Sequence, residues 1–137
     1  MRSAIAACAL FIAAACGGDD APTAPTMASI AGTWNLQTVN GSPLPFIVAQ
    51  SGSDKIEVLG DAITVTATAT FTQLTQVRVT QGGQVSTQSV PDAGSYTLSG
   101  KTVTFTFSSD GSSGTGTLNG NTLSVTDTGI SLVYKKQ

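Results

Sequence analysis

Acid–base or nucleophilic chemistry has little to draw on in this sequence. It contains no histidine, Glu57 is its single glutamate, and both cysteines, Cys8 and Cys16, fall in the apolar opening of the chain. Serine–histidine–aspartate and cysteine–histidine arrangements are therefore unavailable, and hydrolysis by paired carboxylates would need distant aspartates to meet. Asp92, Asp110 and Asp127 each stand alone just ahead of a glycine, without the dense oxygen spacing of a calcium loop. They read as turn formers. Lys55 and Glu57, two apart in a strand-like stretch, share a face and are expected to solvate it. Six basic residues against eight acidic ones leave no basic patch for nucleic acid. The expectation is a protein with no catalytic residue, no metal and no cofactor.

What remains is apolar surface, and the chemistry it offers is burial of a small apolar or amphipathic molecule. The residues that could do this are Phe46, Ile47, Ala67, Ala69, Phe71, Tyr96, Phe105 and Phe107, with the single tryptophan, Trp34, as a plug. Strands must position them. In "AITVTATATFT", residues 62–72, Ile63, Val65, Ala67, Ala69 and Phe71 alternate with threonines, which places the apolar set on one face. "KTVTFTF" repeats the device with Val103, Phe105 and Phe107. Turn signals fall at Gly60-Asp61, Gly82-Gly83, Asp92 to Gly94, Ser99-Gly100, Asp110-Gly111, Asn119-Gly120 and Asp127 to Gly129, several of them suited to the positive φ of tight hairpins.

Between those turns the expected strands are 32–39, 54–60, 62–72, 75–81, 84–90, 94–99, 101–108, 113–119, 121–127 and 130–136. Some should merge, the 84–99 segment into one bent strand, leaving about eight or nine. Short connections make an antiparallel up-and-down meander, and closing it into a barrel removes both edges. The small Ala67 and Ala69 would leave space inside, beside Phe71, Tyr96, Phe105 and Phe107. One connection is long, Asn40 to Asp54, and contains Leu44, Phe46, Ile47 and Val48. Such a loop reads as a lid or a passive cap over one barrel end.

The N-terminus carries an address. Residues 4–15 are uncharged and apolar behind Arg2; twelve residues of helix reach only about 18 Å, short of the roughly 30 Å of a bilayer core. This is the pattern of a secretory signal peptide. Ala13-Ala14-Ala15-Cys16 resembles a bacterial lipobox, which implies cleavage before Cys16 and lipidation of it. Ile5-Ala6-Ala7-Cys8 fits the same pattern but comes too early to leave an apolar core. Residues 16–28 hold no large apolar residue before Met27 and read as a flexible tether. The division expected is a signal peptide over 1–15, the tether over 16–28 and one β-domain over 29–137. Gly17 rather than Asp after the lipidated cysteine implies the outer membrane of a bacterial envelope, facing the periplasm. With Cys16 acylated, no thiol or disulfide remains.

Gly32-Thr33-Trp34 at the head of the first strand resembles the Gly-x-Trp of lipocalins. The likeness is closer to the small lipocalin-like lipoproteins of bacteria, continuing through Gly94-Ser95-Tyr96, its Ser-Gly turn, the Gly-Asn turns and Tyr134-Lys135-Lys136. It implies an eight-stranded barrel open at one end that carries a small apolar molecule. In lipocalins an arginine near the last strand packs over the tryptophan; here that part is expected of Lys135. The META-type envelope domain also opens on Gly-x-Trp, but its usual Gly-Cys-Asn segment is absent from 29–137. The expected protein is a membrane-anchored lipoprotein whose barrel binds a small molecule. The alternative is a non-catalytic scaffold or protein-interaction module with a filled barrel.

Overall fold

The computed structural model describes residues 23–137. The signal segment, Cys16 and most of the tether lie outside the described residues. A single helical turn, α1 (Met27–Ile30), precedes ten strands: β1 (Gly32–Val39), β2 (Ser42–Pro43), β3 (Phe46–Ser51), β4 (Asp54–Val65), β5 (Thr70–Gln81), β6 (Gln84–Ser99), β7 (Thr102–Phe107), β8 (Ser113–Asn119), β9 (Thr122–Asp127) and β10 (Ile130–Lys136). From β4 to β10 each strand pairs antiparallel with the next, and β1 closes the ring by pairing with both β10 and β4. The result is an all-β meander closed into an eight-stranded barrel, with β2 folded back on β1 and β3 on β4.

Four local features differ from the sequence-based reading or refine it. The run 62–72 is not one strand: it breaks at Thr66–Ala69 into β4 and β5. No Gly, Pro, Asn or Asp marks this turn. Instead the Thr66 hydroxyl accepts from the backbone N–H of Thr68 and Thr70, both at 3.2 Å, and Ala69 takes a φ of +63°. Side-chain-to-backbone bonds of this kind compete with strand pairing. The 84–99 segment is one long strand, β6, as expected of a merged pair. The stretch from Asn40 to Asp54 is not a free loop, because β2 and β3 turn it into two hairpins. Finally, α1 occupies Met27–Ile30, a segment that reads as tether and domain start rather than helix in the sequence, and the expected tether boundary at residue 28 falls inside it. Four residues are too few to show periodicity; the helix owes its start to a capping box between Thr26 and Ser29.

α1 stoppers one end of the barrel. Ile30 is buried, and its carbonyl accepts the indole N–H of Trp34 at 2.9 Å. Trp34 itself is 1 % exposed. Lys136, not Lys135, covers it: its Nζ stands 5.7 Å from the ring centroid and donates to the Ser29 carbonyl at 2.6 Å. The alternation along β10 decides between the two lysines, since Lys135 is the more exposed neighbour. A core of Val65, Phe71, Tyr96, Val103, Phe105, Leu118 and Leu123 is buried within the barrel. Phe71 makes edge-to-face contacts with Phe105 and Phe107 at 5.1 and 5.3 Å, a favoured aromatic geometry. Gly94 makes room for this packing. A Cβ there would collide with the Thr106 carbonyl oxygen and lie 2.9 Å from Phe71 Cε1.

The hairpins at the other end outgrow the barrel. β7 pairs with β6 only over Gly94–Ser99, so the rest of β6 bonds to β5 alone. Ile47, Ile56, Val85 and Val90 are among the exposed apolar side chains of these long strands.

Candidate functional site

Three β-bulges shape the end of the barrel away from α1, between Leu36 and Thr38 in β1, Ile47 and Ala49 in β3, and Val58 and Gly60 in β4. Each inserts a residue that resets which face its strand presents. In β4, Asp61, Ile63 and Val65 are buried on the inner face. The extra residue Leu59 lets Val58 join Asp61 on the same cavity wall while Glu57 is paired elsewhere. The space left between β1, β3, β4, β5 and β10 is a cavity of about 210 Å³. Leu36, Val39, Phe46, Val48, Val58 and Leu132 supply its apolar wall.

A polar cluster is set into that wall. Asp61 is only 7 % exposed. Its Oδ2 accepts the Tyr134 hydroxyl at 2.6 Å and the Gln73 amide at 2.7 Å; its Oδ1 accepts the Thr75 hydroxyl at 2.8 Å. Thr75 stands directly opposite Asp61 across the β4–β5 pair, whereas Tyr134 comes from β10. Burial, reinforced by the Asp61 carboxylate and the bond to it, pushes the Tyr134 phenol far above its ordinary value of 10.0, so it remains a donor. All four side chains line the cavity, as does Asp127 at the β9–β10 turn. No basic residue lines it.

The fully paired ionic site lies elsewhere. Glu57 accepts from Arg78 Nε at 2.8 Å and Lys55 Nζ at 3.0 Å and is 4 % exposed. The Arg78 and then the Lys55 hydrogen bonds hold its carboxyl down at about 2. Lys55 and Glu57 do share a face, but Glu57 is covered by its partners rather than solvated. A broad hollow outside β4 and β5 is lined by surface residues such as Thr64, Thr72 and Pro91; it encloses no buried polar group to orient a ligand.

The expected ligand-contact residues separate into four sets. Phe46 lines the cavity, while Ile47, its neighbour on β3, is 44 % exposed and does not. Phe71, Tyr96, Phe105 and Phe107 pack on one another as core and do not line it. Tyr96 also ties its hydroxyl to the Thr66 carbonyl at 2.6 Å. Ala67 and Ala69 do not face the interior at all: both sit in the Thr66–Ala69 turn, Ala67 exposed and Ala69 half-buried. The turn shifts them off the inner face, so they open no space in the barrel.

Asp61, Gln73, Thr75 and Tyr134 are not among the residues that the sequence marks as a site. Gly60-Asp61 reads as a turn pair, although Asp61 lies in phase with Ile63 and Val65. That phase was the available signal.

A family model described as a lipocalin-like domain matches residues 30–125, from the end of α1 into β9. No curated protein and no solved structure matches the chain. With a closed eight-stranded meander, a tryptophan-plugged end and a family match over most of its length, the chain belongs to the lipocalin-like domain family.

Proposed function

We propose that this barrel holds one small apolar or amphipathic molecule, non-covalently and without catalysis. The observation that carries the reading is the division of the interior. The aromatic cluster fills one part, whereas the bulged strands leave an apolar-walled cavity of about 210 Å³. At about 30 Å³ per water-sized group, that is room for roughly seven such groups. Typical pockets for drug-sized ligands run from about 300 to 1,000 Å³, so the enclosed part of the ligand is small. A longer molecule would emerge past Phe46 and Val48. The driving force is removal of apolar surface from water, about 0.8 kcal/mol per buried methylene. The lipobox resemblance at Cys16 supports a lipid-anchored protein of the bacterial envelope, outer membrane facing the periplasm, with the barrel held off the membrane.

A second reading, a scaffold or protein-interaction module, draws on the exposed Ile47, Ile56, Val85 and Val90 of the projecting hairpins. Native mass spectrometry against the denatured mass separates the two. A reproducible adduct of low mass, lost on unfolding, is the expected result. A clean mass that stays clean after incubation with envelope lipid extract would overturn the carrier reading. Attention would then turn to a protein partner.

A further inference from the structure

Building on the carrier reading, we infer that the bound molecule carries a cationic nitrogen, as in an alkylamine, seated against Asp61 with its apolar body along Leu36, Phe46, Val58 and Leu132. Burying a carboxylate is costly unless it is paired and hydrogen-bonded. Asp61 is more than nine-tenths buried, yet its three donors, Tyr134, Gln73 and Thr75, are all neutral. Among the described residues the ion pairs formed by Lys55 and Arg78 are both committed to Glu57. A carboxylate offers about four acceptor positions; the three bonds here leave one open, on Oδ1. The cavity can supply the missing charge from outside the chain.

The second carboxyl group on its lining belongs to Asp127, so a cation meets negative charge at both the rim and the wall. Two carboxylates and no base would repel a fatty acid, and a neutral alcohol would gain only a hydrogen bond. Tyr134, Gln73 and Thr75 already point their donors at the carboxylate, holding it in place before any ligand arrives. Such preorganisation lowers the cost of binding.

Three ligands of equal chain length test the inference on the unaltered protein: hexylamine, hexan-1-ol and hexanoate, titrated at near-neutral pH and followed by the NMR signals of Phe46, Val58 and Tyr134. The expected order is amine over alcohol by roughly ten-fold or more, with hexanoate weakest, because a desolvated opposite charge adds to the shared apolar term. Asp61→Asn should bring the amine down to the level of the alcohol, while Asp127→Asn, at the exposed rim, should cost roughly three-fold or less. Equal affinity for amine and alcohol, or a preference for hexanoate, would sink the cation inference and leave the carrier reading standing. If all three fail to move those signals, the carrier reading falls and this inference with it. The ranking on the unaltered protein decides the matter even if Asp61→Asn does not fold.

Discussion

Removing one oxygen from Tyr134 tests whether the Asp61 cluster is a structural unit. In Tyr134→Phe the ring, 1 % exposed, keeps its packing, and the 2.6 Å bond to Asp61 Oδ2 is lost. A hydrogen bond to a charged group contributes about 1.5–3 kcal/mol. The lower part of that range applies, because Oδ2 retains Gln73 and the adjoining cavity can admit a water. The expected loss is therefore about 1.5–2 kcal/mol, or roughly 6–8 °C in Tm for a domain of this size. Urea denaturation measures it directly: the midpoint should fall with an unchanged slope. Repeating the substitution in an Asp61→Ala background closes a double-mutant cycle. If the hydroxyl acts through Asp61, its removal there should cost less by about 1 kcal/mol or more. A loss below about 0.5 kcal/mol in the first experiment, or no coupling in the second, would refute the reasoning.

Gly94→Ala should destabilise by about 2–4 kcal/mol, since the added methyl meets the Thr106 carbonyl and the Phe71 ring and costs both overpacking and a strained ladder bond. Gly60→Ala, with nothing within 4 Å of the new Cβ, should stay neutral or gain up to about 1 kcal/mol; equal losses at the two glycines would contradict the packing described. Ala67→Leu should change stability by less than about 0.5 kcal/mol and leave ligand binding intact, because Ala67 is exposed in a turn; a larger effect in thermal denaturation would return Ala67 to the interior. Glu57 titrates at about 2 in the folded protein against an ordinary 4.5, so its stabilisation is complete above pH 4.5 and lost as pH falls through 2. The stability gap between the native protein and Glu57→Gln should therefore close across that window, and a gap that persists unchanged into the acid limb would be inconsistent with the triad.

Much of the fold is local, and local patterns show in the sequence. Period-two alternation assigns inner and outer faces without knowledge of the partner strands, and Gly or Asn-Gly turns end strands by backbone sterics. The meander, the closed barrel and Gly32-Thr33-Trp34 at its head were legible for that reason. The Thr66–Ala69 turn was not, because its hydrogen bonds replace the residues that usually mark a turn. The alternation running through it is the same before and after the break, so Ala67 and Ala69 carried a strand signal into a turn.

The site was less legible still. Phe46 could be picked out as an apolar residue needing burial, but Ile47 beside it had the same credentials and points elsewhere. Asp61 meets Tyr134 seventy-three residues along the chain, and only barrel closure through β1 brings those strands within reach. Bulges complete the arrangement by shifting one strand against another at single residues, a displacement that leaves no mark in composition or periodicity. The sequence by itself determined the strands, their faces and the poverty of catalytic groups, because each rests on neighbours in the chain. Which part of the barrel is filled, which stays open, and that a carboxylate waits on the cavity wall were decided by tertiary structure. Those features depend on register between strands far apart in sequence.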